Sequence, residues 1–172
     1  MSVNINTLSL PYLPELSGSK TTRVITKHFT NLSLYMDQNR YSLLTWLIYQ
    51  SKSDNSVIYS THLLNKFRES VLLAREVYGG THLVKCNIKA IRASFKSLVS
   101  LGYILPTYDG KMFVISPLLS YRAEYVSAAN YKKYCKMYQD LGGKDNLNEL
   151  LKSYTEDYCN CVNSVISKKI VK

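Results

Sequence analysis

The sequence is short of what catalysis needs. Its 12 acidic residues are scattered singly along 172 positions, so no acidic cluster exists to hold a pair of metal ions. Three histidines, His28, His62 and His82, stand apart without an obvious orienting partner. There is no phosphate-cradling glycine-rich loop, no GxSxG and no HExxH. These absences point away from an enzyme. The four cysteines, Cys86, Cys135, Cys159 and Cys161, match no standard zinc spacing. Cys159 and Cys161 with His82 and Cys86 would supply four ligands, but positions i and i+2 of a helix point about 200° apart. Reduced, half-buried thiols of a cytoplasmic protein are expected, with no metal and no cofactor. No apolar run approaches the ~20 residues that span a bilayer. The first residues lack a charged region followed by an apolar core, so neither a membrane span nor a secretion signal is expected.

The acid deficit carries information of its own. With 22 basic residues the net charge is +10 and the pI about 9.4. Such a chain favours an anionic partner, nucleic acid before a membrane surface. An apolar content of 46% suffices for a core, and the length suits one domain with modest extensions. One Trp stands against 15 Tyr. Tyr stacks on bases or sits half-buried at a core edge, and the second is expected for most of them.

Residues 85–117 organise the rest. Ile88, Ile91, Phe95, Leu98 and Val99 fall at i, i+3, i+7, i+10 and i+11, one face of a helix. Asn87 suits its N-cap and Gly102 its end. Two β-rich runs, 103–108 and 111–115, then flank Asp109-Gly110. That dipeptide predicts a two-residue hairpin turn with positive φ at both positions. Pro106 lacks an amide donor, which places its strand at a sheet edge. On the helix's other face lie Lys89, Arg92 and Lys96, with Ala90, Ala93 and Ser97 between them. Small residues permit close approach to a major-groove floor, and long cations reach phosphates or guanine edges. Lys85, Lys89, Arg92, Lys96 and Lys111 against Asp109 alone make residues 81–111 the densest positive block. A basic helix running straight into a hairpin is the core of a winged helix-turn-helix.

The flanking chain fits around that core. Residues 1–20 read as an irregular arm, and 21–29 as a short strand or extended lead-in. A buried helix up to Gln50 is expected, capped by Asp37 or Asn39. Val57–Tyr59 should be a strand pairing with the wing. Ser60 or Thr61 then caps a helix with Leu64, Phe67, Val71, Ala74 and Tyr78 inward, stopped by Gly79-Gly80. Thr81–Cys86 is longer than a minimal helix-turn-helix turn. A helix is expected over Tyr121–Asp140. A last helix carries an apolar stripe from Leu147 to Val165, buried against the domain or pairing two copies as a homodimer.

Residues 21–118 resemble the winged-helix replication initiators (Rep-type) of small plasmids and phages. The matching parts are RVITKHFTNL, RYSLLTWLIYQ, VIYS, and IKAIRASFKSLVSLGYI followed by DGKMFVISP. Ile115-Ser116-Pro117 stands where that family commonly has Ile-Asn-Pro. The resemblance implies an amino-terminal strand, a three-helix core and a hairpin wing over 21–118, with double-stranded DNA as partner; with the helical extension that period predicts over 119–172, the fold expected is mainly α with a small antiparallel sheet. It implies that Lys89, Ala90, Arg92, Ala93 and Lys96 face bases, beside the cap Asn87, with Tyr108 and Lys111 at the wing tip. Replication initiation or transcriptional control of a mobile element, in a host cytoplasm, is the function it suggests. The other reading is a virion or assembly component that uses the winged helix for protein contacts.

Overall fold

In the computed structural model, Asp37 opens the first helix among the described residues. The structure describes residues 21–24, 36–52, 54–78, 84–123, 128–145 and 149–150. The Asp37 carboxylate accepts from the amides of Asn39 (3.0 Å) and Arg40 (3.1 Å), and pairs with the Arg40 guanidinium. Helix α1 follows over Gln38–Gln50 and buries Leu43, Leu44, Leu47 and Ile48. Its buried face is broad, but Tyr49 points outward.

Chain order after a first strand, β1 (Thr21–Val24), is α1, β2 (Ser56–Ile58), α2 (Thr61–Tyr78), α3 (Ile88–Ser100), β3 (Ile104–Pro106), β4 (Met112–Ile115), β5 (Ser120–Ala123) and α4 (Ala128–Asp140). The fold is α+β, mainly helical with a small antiparallel sheet of order β2-β4-β3. Pro106 lies on the edge strand β3, as its missing donor requires. The strand expected at Val57–Tyr59 begins one residue earlier and pairs with the wing through β4, Val57 opposite Phe113. In α2, Leu64, Phe67 and Val71 are buried, and the Ser60 hydroxyl accepts from the Leu63 amide at its start. Trp46 of α1 meets Phe67 edge-on at 5.4 Å and donates to the Ser70 hydroxyl, locking α1 to α2.

Two expectations are corrected. First, residues from Tyr121 are not all helical. Ser120–Ala123 form β5, which pairs antiparallel with β1, Val24 opposite Ser120 and Thr21 opposite Ala123. A distant strand supplies ladder partners that local helical period cannot anticipate. Tyr121 is buried under Tyr131 (5.4 Å) and Tyr134 (5.6 Å) of α4. Second, Asp109-Gly110 is not a two-residue turn. Only Gly110 has positive φ (65°), and the hairpin closes from the Thr107 amide to the Met112 carbonyl (2.8 Å) around a wider loop. The Asp109 carboxylate causes this. It accepts from the Thr107 hydroxyl (2.6 Å) and from the amides of Lys111 (3.0 Å) and Met112 (3.2 Å), so a side chain does the work of ladder carbonyls.

Asn55 holds these strands together. It is fully buried with φ of 62°, and its amide nitrogen donates to the carbonyls of Ile115 (2.7 Å) and Ser120 (3.0 Å). The stripe from Leu147 to Val165 lies outside the described residues except for Glu149 and Leu150, and Leu150 is buried. The arm 1–20 and the Gly79-Gly80 stop also lie outside them. No helix among the described residues is long and apolar enough to cross a membrane.

Candidate nucleic-acid interface

Helix α3 is held at both ends and on one face. Its cap is Asn87, whose side-chain oxygen accepts from the Ala90 amide (2.7 Å). Its other end closes as a Schellman motif. The Tyr103 amide donates to Leu98 O, the Gly102 amide donates to Val99 O, and Gly102 takes φ of 78°. The Tyr138 hydroxyl of α4 donates to the Gly102 carbonyl, so α4 braces this terminus. Burial pushes the phenols of Tyr131 and Tyr138 and the Cys135 thiol up, so all three stay neutral.

The inward face carries Ile91, Phe95 and Leu98, all buried. Phe95 lies 4.6 Å from the ring of Tyr59 and 4.9 Å from that of Phe113. Tyr59 follows β2 and Phe113 belongs to the wing strand β4. This three-ring cluster therefore sets the angle between helix and wing.

The outward face matches the expectation from spacing. Lys89, Arg92, Ala93 and Lys96 are exposed, Asn87 is exposed at the start, and Ala90 is half-buried. Lys89, Arg92 and Lys96 form no ion pair among the described residues. No acidic residue occurs between Glu76 and Asp109, so the face has one sign. Ser97 turns the other way and accepts from an Arg40 guanidinium nitrogen (3.0 Å), tying α1 to α3. Tyr108 and Lys111 sit exposed at the wing tip. There Asp109 is held below its ordinary value, first by the Thr107 hydroxyl and then by the Met112 and Lys111 amides. The Lys111 charge lies beside that carboxylate.

The stretch before α3 is anchored by Arg75, which the sequence did not single out, and by Asn39, which it offered only as a cap for α1. Arg75, in the last turn of α2, donates to the Val84 carbonyl (2.6 Å) and the Cys86 sulfur (3.3 Å). The Asn39 side-chain oxygen accepts from the Lys85 amide (2.6 Å). A cation near a helix C-terminus was the only local signal for Arg75; Asn39 read as a cap, the place Asp37 takes, and nothing local pointed to Lys85. Among the described residues no three His, Cys, Asp or Glu converge on a metal position. His82, Cys159 and Cys161 lie outside those residues. No protein family, curated protein or solved structure matches this chain.

Proposed function

We propose that this protein binds double-stranded DNA with α3 in the major groove and the β3–β4 wing beside it, and that it does no chemistry of its own. The observation that carries this reading is the exposed, acid-free face of α3, whose three cations form no ion pair among the described residues and have the exposed Ala93 between them. A helix of this kind approaches a groove floor closely while its long cations reach base edges and phosphates. The resemblance to Rep-type initiators makes replication initiation or transcriptional control of a mobile element, in the host cytoplasm, the role that fits. The site then comprises Asn87, Lys89, Ala90, Arg92, Ala93, Lys96, Tyr108 and Lys111.

The experiment begins with selection of a cognate site from a random duplex pool. Binding is then measured across a salt series. Arg92 and Lys89 leave the exposed face in the first two turns of α3 and are the base-reading candidates. Arg92→Ala should cost about 1–3 kcal/mol on the cognate site and relax specificity there. Lys96→Ala should weaken all sequences alike and lower the salt slope by about one unit. Absence of duplex binding near physiological salt, with charge reversal at Arg92 changing nothing, would refute the reading.

One observation favours the alternative, a virion or assembly component with a protein partner. Leu73 (61% exposed) and Val77 (64%) form an apolar stripe on the outer side of α2. Beside it a depression of about 430 Å³ is lined by Trp46, Gln50, Lys66, Glu69, Ser70 and Leu73. Apolar patches rimmed by polar groups are common at protein interfaces. Salt-insensitive behaviour toward duplex DNA would favour this use.

A further inference from the structure

Folding gives no reason for Tyr108. Its side chain is 91% exposed, the most exposed large apolar residue among those described. A position so open contributes nothing to the core, and most residue types would close the same loop. The next loop position but one, Gly110, also faces open space: a Cβ there would meet nothing within 4 Å. The tip is free on its outer side.

The tip is nonetheless braced. The Gly110 amide donates to Thr107 O (2.9 Å) and the Thr107 amide to Met112 O (2.8 Å). Asp109 accepts from the Thr107 hydroxyl and from the amides of Lys111 and Met112 on the far side of the loop. The ring at 108 therefore projects from a loop whose backbone is already ordered, so little further ordering is needed when it meets a ligand.

Charge separates this tip from α3. Asp109 and Lys111 offset each other, and the carboxylate would oppose a close phosphate. The tip is a weak electrostatic anchor compared with the one-sign face of Lys89, Arg92 and Lys96. What it offers is an aromatic face, and an aromatic face finds a partner in an unstacked base rather than in a duplex backbone.

We propose that Tyr108 is a stacking wedge, so that the preferred ligand is duplex DNA holding unpaired bases next to the segment read by α3. This rests on the reading of α3 as duplex-facing, and it names the class of DNA that the same site prefers. The base stack offers no vacant face in an intact duplex. Where pairing is broken, a base is free to cover one side of the ring, and the unstacking cost has already been met by the DNA.

The test uses the full chain and two duplexes of the same length and sequence. One is fully paired, and the other carries a short unpaired bubble beside the selected site. A fluorescent adenine analogue, quenched on stacking, reports from the bubble. The wild type should bind the bubble duplex roughly 5- to 100-fold more tightly, with quenching. Tyr108→Ala should abolish both the preference and the quenching, losing more affinity for the bubble duplex than for the paired one. Tyr108→Phe and Tyr108→Trp should retain them, because the ring and not the hydroxyl does the stacking. An unchanged melting temperature of Tyr108→Ala confirms that its fold is intact. The wedge is overturned by equal affinity for the two duplexes, by a preference that survives Tyr108→Ala, or by a loss of affinity equal on both. If the wild type binds paired DNA with a salt slope but ignores the bubble, α3 remains a DNA reader and only the wedge fails. If it binds neither duplex, both readings fail together.

Discussion

At the scale of single residues, the working parts are polar side chains that replace missing backbone partners. Asp37 and Asn87 cap helices, Asn55 stitches three segments, and Asp109 gathers the wing tip. Asp109 also makes the tip sensitive to acid. Its pKa is lowered because the Thr107 hydroxyl and two amides donate to the charged form. A carboxyl lowered in the folded state stabilises above its unfolded value, and that contribution is lost as pH falls through the lower folded value. The tip should therefore loosen below the ordinary value of 3.8, while the buried core keeps its order. Amide hydrogen exchange and shifts of Lys111 and Met112, followed downward from neutral pH, check this. Asp109→Ala should reproduce the loosened tip at neutral pH. If those amides respond to acid identically in the substituted protein, another group is responsible.

At the scale of elements, the end of α3 matters most, because the wing starts there. Gly102 takes φ of 78°, and the nearest atoms to a Cβ at that position, Leu150 Cδ1 and Tyr138 Oη, lie at 3.7 Å. Space is sufficient, so the penalty of a side chain is conformational. Gly102→Ala should lower stability by about 1–2 kcal/mol, and Gly102→Asn by less. Denaturant unfolding gives the values; no change in Gly102→Ala would mean that the helix ends differently. The signals for this junction were local ones. Apolar period marked α3 from Ile88 to Val99, Asn87 marked its cap and Gly102 its end. The wing was marked by Asp109-Gly110 but not its loop type, since the choice depends on where the Asp109 carboxylate points. β5 left no local trace, because the residues following Pro117 have helical period and their strand partner lies about a hundred residues earlier, Val24 opposite Ser120.

At the scale of the whole molecule, the ring cluster of Tyr59, Phe95 and Phe113 joins three elements far apart in sequence. Phe95 is 3% exposed and sits between the other two. Phe95→Ala should cost about 3–5 kcal/mol, because it removes a large buried ring and leaves a cavity that rigid strands on one side cannot close. Thermal or denaturant unfolding measures this. A loss below ~1 kcal/mol would mean that neighbours refill the space and that the cluster does not set the geometry.

The cations of the candidate interface were legible from spacing, because a helix with one apolar stripe turns the positions opposite that stripe outward. Lys89, Arg92, Ala93 and Lys96 are exposed for that reason alone. The α+β class was legible for the same reason, since period distinguishes helix from strand along the chain. Period does not say which strand pairs with which, or which polar side chain meets a distant backbone group. The β1–β5 ladder, the Arg75 and Asn39 anchors ahead of α3, and the Tyr138 contact at Gly102 all join residues separated by loops. Such contacts form only when packing has brought the chain together, because their partners are set by the tertiary fold and not by local period.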